Sequence, residues 1–130
     1  MQSYSLCALQ AYSPDYLLSF QFLSGFSVFM IGITINTQSD SILRSLRKGD
    51  ESGYLIPRGG AFEYVSGAHY FGEIVEWTGF AMASNAKCSW AFSLYTSSNL
   101  IPRAEAHHAW YLENFKDYPP KRKAVIPFFW

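Results

Sequence analysis

Charge is what this 130-residue chain has least of. Asp, Glu, Lys and Arg make up only 15% of it, ten acidic against ten basic, for a net charge of zero. That is well below the usual quarter for a soluble domain. With no basic excess there is no electrostatic footprint for nucleic acid. Cysteine is scarce as well. Cys7 and Cys88 are far apart and have neither a CxxC spacing nor a histidine partner, so they imply no disulfide framework and no metal site. No GxGxxG follows a strand-like run and no Walker loop is present, so a Rossmann or P-loop nucleotide site is unsupported. The opening "MQSYSLCALQAYSPDY" has no basic n-region and is not a secretory signal. Internal repeats and low-complexity segments are also missing.

What is present is apolar. Hydrophobic residues reach 49% and aromatics 18%. The run from Tyr16 to Ser39 carries no charge, and its apolar part, Leu17 to Ile35, is long enough at 1.5 Å per residue to cross a hydrocarbon core of about 30 Å. Gly25 and Gly32 within it suit close helix packing in lipid. A second neutral region, Trp77 to Pro102, is broken only by Lys87 and fits either one crossing or a helix pair. The expectation is one all-α, polytopic membrane domain over residues 1–130, with three or four hydrophobic helices. Nothing basic precedes the first span, whereas Arg44, Arg47, Lys48 and Arg58 follow it closely. The positive-inside rule then puts the N-terminus in a lumen and the loop from Gly49 to Gly60 in the cytosol.

Three polar stripes interrupt the apolar pattern. Asn36, Asp40, Arg44 and Arg47 are spaced four, four and three apart and fall within roughly an 80° arc of one helix. His69, Glu73 and Glu76 share a second helix face, and Arg103, His107 and Tyr111 a third. Each stripe alone could be a solvated helix face, with Asp40 and Arg44 as an i,i+4 ion pair and Lys121, Arg122 and Lys123 on anionic lipid headgroups. Ionisable groups in apolar helices usually face a polar cavity. Together the stripes offer cations, donors, acids and aromatics to one cavity, a set suited to a dinucleotide, with Arg on phosphates. The adjacent His107 and His108 point about 100° apart on a helix and have no carboxylate triad, so no metal is expected.

"NTQSDSILRSLRK", "GYLIPRGGAFEYVSGAHYFGEIVEW" and "RAEAHHAWYLENFKDYPPKRKAVIPFFW" resemble the C-terminal part of the steroid 5α-reductases, with the type 1 pattern, over nearly the whole chain. The resemblance implies a seven-helix protein of the endoplasmic reticulum membrane. It also implies reduction of the 4,5 double bond of 3-oxo-Δ4 steroids such as testosterone and progesterone, with NADPH bound in a cytosol-facing cavity. Carried over by motif, Asn36, Asp40, Arg44, Arg47, Tyr54, Glu73, Arg103, His107, Tyr111 and Arg122 match the cofactor-binding pattern. The Arg residues fall to the phosphates, and Asn36, Asp40 and Glu73 to base, ribose or nicotinamide. The family usually has Asn at His69, a basic residue at Leu55 and Pro at Gly49.

Hydride transfer to C5 leaves charge developing on the steroid 3-oxygen, which an acid must stabilise. In the family that Tyr and Glu belong to the N-terminal half, so the resemblance leaves catalytic residues unassigned here and implies no turnover by these residues alone. Trans-2-enoyl-CoA reductases share "DYPP" and the apolar tail, but not "RGGAFEYVSGA". Membrane methyltransferases would need an RHPxY signature, which is missing. A non-enzymatic truncated isoform is the remaining alternative.

Overall fold

The computed structural model describes residues 11–49 and 55–130. Cys7 and Tyr54 lie outside the described residues. A short 3₁₀ helix, Pro14–Leu18, leads into α1, Phe20–Gly49; a second one, Gly60–Glu63, leads into α2, Ala68–Ser84; α3, Lys87–Asn114, and a tail to Trp130 follow. Among the described residues every regular element is a helix, in line with the expected all-α domain.

Local chemistry sets the boundaries. Before α1, the Ser19 hydroxyl accepts the Phe22 N–H at 3.2 Å, taking up one of the orphan donors of the first turn. Arg47 and Lys48 occupy the last turn, where cations suit the negative end of the helix dipole. α2 stops at Asn85, whose φ of 49° is left-handed, a conformation Asn tolerates better than most residues. The neutral region from Trp77 to Pro102 is therefore a helix pair broken at Asn85 and Ala86, and not one crossing.

α1 and α2 run antiparallel in close contact. A Cβ added at Gly79 would lie 2.2 Å from the Phe29 backbone nitrogen, and one at Gly32 would lie 2.2 Å from that of Glu76. Gly25 meets Ala83 and Gly72 meets Asn36 in the same way, so the contacts climb one helix as they descend the other. Such small-residue seams let backbones approach where water provides no hydrophobic drive.

Of the described helices, α1 alone is long and apolar enough to span a membrane, and only 11% of its apolar window is buried, unlike the core helix of a soluble protein. The expected three or four hydrophobic helices thus become three helices, one of them long and apolar enough to span a membrane. α2 has 17 residues and carries His69, Glu73 and Glu76. α3 is punctuated by Ser, Thr and Asn and has Pro102 inside it. Leu23, Phe26, Met30 and Ile31 of α1, and Leu94 and Tyr95 of α3, are exposed.

At the polar end, Phe62, Val65 and Ala68 form a buried cluster with Ile42, Leu43 and Phe71 against it. The tail is laced into the same place. Val65 and Lys123 form a parallel bridge. The Ser66 N–H donates to the Lys123 carbonyl, Gly67 N–H to Ala124, and Lys123 N–H to Tyr64, each at 2.9 Å. The Trp130 indole N–H donates to Glu105 at 2.7 Å, fastening the tail to α3.

Candidate functional site

Where the end of α1, the start of α2 and the second half of α3 converge, they enclose a cleft of about 550 Å³, within the range usual for ligand and cofactor pockets. Leu43, Leu46 and Arg47 line it from α1, Ser66 and Phe62 from the connection, His69 and Tyr70 from α2, and His107, Trp110 and Tyr111 from α3.

The first stripe divides. Arg47 reaches the cleft. Asp40 and Arg44 pair with each other at 3.6 Å and stay largely in solvent, a contact worth a few tenths of a kcal/mol. Asn36 turns to α2, donating through Nδ2 to Glu76 Oε2 at 3.2 Å. Glu73 is half-buried and is not among the cleft-lining residues. Of the third stripe, His107 and Tyr111 line the cleft; Arg103, one turn earlier, is not among the lining residues, though its charge acts on Tyr70. The His107 ring stands edge-on to Tyr70 with centroids 5.7 Å apart.

Arg122 is 2% exposed. Its guanidinium lies 5.3 Å from the centroid of the Tyr118 ring, and its three side-chain nitrogens have no hydrogen-bond partner. Cation–π stacking contributes about 2 kcal/mol when desolvated, short of the several kcal/mol that an unpaired buried ion costs. Five N–H donors in a rigid fork suit a phosphate or a carboxylate. Tyr118 in turn stacks on the cleft-lining Tyr111, with centroids 5.1 Å apart and planes 9° from parallel, and Arg122 itself is not among the lining residues.

Sequence reasoning left Ser66, Tyr118 and His108 off the list. The Ser66 hydroxyl lies 2.6 Å from His108 Nδ1 and 2.5 Å from the Tyr118 hydroxyl. The partners are 42 and 52 residues away, so no local spacing signals the node. His69 also has a buried Nδ1 without a partner. It stands one turn before Gly72, which abuts Asn36, so it is level with residues beyond Ile35 and outside the apolar span. Burial pushes its pKa down to about 4; Asp40 opposes that shift, while His107 and Arg47 reinforce it. At neutral pH it is an uncharged imidazole that can donate to a ligand or accept from it.

The cleft therefore offers the Arg47 guanidinium, a neutral imidazole and aromatic walls, a set suited to an anionic guest that carries a flat ring. No group of three or more His, Cys, Asp or Glu that could hold a metal occurs among the described residues.

A family model described as 3-oxo-5-alpha-steroid 4-dehydrogenase matches residues 1–130. The 3-oxo-5-alpha-steroid 4-dehydrogenase 1 of Rattus norvegicus is 52% identical over 98% of this chain and 49% of its own length. The protein of that name from Homo sapiens is 48% identical over 98% and 49%. A steroid 5-alpha-reductase of Gossypium hirsutum is 49% identical over 90% of this chain and 46% of its own length. The chain spans about half the length of the curated relatives it matches.

Proposed function

The chain belongs to the 3-oxo-5-alpha-steroid 4-dehydrogenase family, and on that premise we propose that it forms the NADPH-binding half of a reductase. The enzyme reduces the 4,5 double bond of 3-oxo-Δ4 steroids of the testosterone and progesterone class. It sits among the lipids of the endoplasmic reticulum membrane with its cleft facing the cytosol. NADPH, when bound, supplies the hydride.

The remaining work is done by this chain's own groups. Arg47, which lines the cleft, is the cation for phosphate oxygens; Arg122, assigned to the cofactor by motif, is buried on the Tyr118 ring and does not line the cleft. Trp110 and Tyr111 supply flat walls for a ring. His69, held neutral by burial, provides a hydrogen-bonding nitrogen without adding to the charge. The observation that carries this reading is the cleft itself: Arg47, His69 and the rings of Trp110 and Tyr111 line one pocket of about 550 Å³.

The test uses the chain in membranes. Trp110 lines the cleft, so bound reduced nicotinamide should quench tryptophan emission saturably, and Trp110→Phe should remove most of that signal. Absence of saturable NADPH binding would overturn the proposal.

A further inference from the structure

We infer that the turn from Ile126 to Trp130 is a wedge for the membrane–water boundary, with Phe128 and Phe129 among lipid acyl chains and Lys121 and Lys123 on anionic headgroups. The inference rests on α1 as the membrane span and is independent of what fills the cleft.

The turn is firmly folded, yet it displays its rings. The Val125 and Ile126 N–H groups donate to the Trp130 main-chain oxygen at 3.0 and 2.8 Å, and the Trp130 and Phe129 N–H groups donate to the Ile126 carbonyl at 3.0 and 3.2 Å. Pro127 has no N–H to satisfy. A backbone that pairs its polar groups internally is what a segment entering lipid requires. Phe128 takes a left-handed φ of 64°, an unusual conformation for so bulky a residue. The result is two phenyl rings 81% and 78% exposed, at Phe128 and Phe129. The half-exposed Tyr64 ring packs against Phe128 with centroids 5.2 Å apart and widens the patch. Trp130 spends its indole N–H on Glu105 and keeps an exposed hydrocarbon face. Such amphipathic rings gather where lipid meets water.

Depth argues for lipid as the partner. Gly32 abuts Glu76 and Gly72 abuts Asn36, so four positions up α1 match four down α2, and Gly67 is level with Ser41. A Cβ at Gly67 would lie 3.2 Å from the Ala124 carbonyl oxygen, which brings the tail to the same level. The uncharged run of α1 ends at Ser39, two residues or about 3 Å away. The rings therefore stand at the boundary, within reach of acyl chains. Lys121 and Lys123 are exposed beside them, while the intervening Arg122 is buried. Apolar rings flanked by lysines match an anionic lipid surface in both parts.

The test attaches a nitroxide at Phe129→Cys in the full chain, with Cys7→Ser and Cys88→Ser removing the chain's two native thiols. The protein is placed in vesicles of phosphatidylcholine and phosphatidylserine. Power saturation then compares collisions with oxygen, which concentrates in lipid, and with a nickel chelate, which stays in water. The oxygen-to-nickel ratio should be several-fold higher than at Gly49→Cys, an exposed position with nothing within 4 Å. Reversing both lysines, Lys121→Glu with Lys123→Glu, should lower the ratio in these vesicles and leave it unchanged in pure phosphatidylcholine. A ratio equal to that at Gly49 overturns the inference, because the turn then faces water. Collision with neither reagent also overturns it, because protein then covers the turn. A lysine reversal without effect overturns the headgroup contact. Should Phe129→Cys not fold, Phe128→Cys carries the same comparison.

Discussion

The Asn36 carboxamide donates to the Glu76 carboxylate at 3.2 Å, a side-chain hydrogen bond that ties α1 to α2 across a seam otherwise made of glycines. It sits where the backbones are closest: Gly32 abuts Glu76, and Gly72 abuts Asn36. Glu76→Ala leaves the half-buried carboxamide without its acceptor, at a cost of about 1–3 kcal/mol. Glu76→Gln retains an oxygen and should cost less. Thermal unfolding in detergent, followed by helical circular dichroism, ranks the two; equal stabilities for Ala and Gln would show that the bond contributes nothing.

Gly79 admits no side chain, because its Cβ would fall 2.2 Å from the Phe29 nitrogen. Gly79→Ala must push α1 and α2 apart, and overpacking of this kind costs about 1–3 kcal/mol. Gly49→Ala is the control, since nothing lies within 4 Å of that position. A normal melting temperature for the Gly79 variant would contradict the seam.

For Arg47, which lines the cleft at the last turn of α1, truncation to Ala should raise the NADPH dissociation constant. Loss of a charge-assisted hydrogen bond costs about 1.5–3 kcal/mol, roughly ten- to a hundredfold. The same substitution at Arg44, paired outside with Asp40, should change binding far less. Equal effects at both positions would show that the whole stripe acts on the ligand.

The depressed pKa of His69, about 4 in the fold against 6.5 unfolded, gives a signed pH effect. Between those values the unfolded chain holds the proton and the folded chain does not, so stability falls as pH drops from 6.5 towards 4. His69→Asn should flatten that part of the profile and leave stability above pH 7 little changed. Melting curves at pH 7 and 4.5 for both chains measure the difference.

Orientation has a direct assay. A glycosylation acceptor engineered between Gly49 and Gly60 should stay unmodified in microsomes if that loop is cytosolic. Efficient glycosylation there would reverse the proposed topology.

The sequence showed some of this and concealed the rest, for physical reasons. Helical periodicity put Arg103, His107 and Tyr111 on one stripe, and His107 and Tyr111 do share the cleft, whereas Arg103 is not among its lining residues. The same periodicity grouped Asn36, Asp40, Arg44 and Arg47. An arc of about 80° is wide enough, however, for α2 to take one end, solvent the middle and the cleft the other end. The break at Asn85 was invisible to hydropathy, since a left-handed Asn leaves no apolar signature. The node at Ser66 joins residues tens of positions apart, and only the tertiary path of the tail creates it.

The length of α1 fixes how far a hydrated guest must travel. Thirty residues at 1.5 Å each make a rod of about 45 Å, half as long again as a hydrocarbon core of about 30 Å. Arg47 stands twelve residues past Ile35, about 18 Å farther along the rod. For a charged cofactor of the kind proposed above, Arg47 is then met while the guest is still in water.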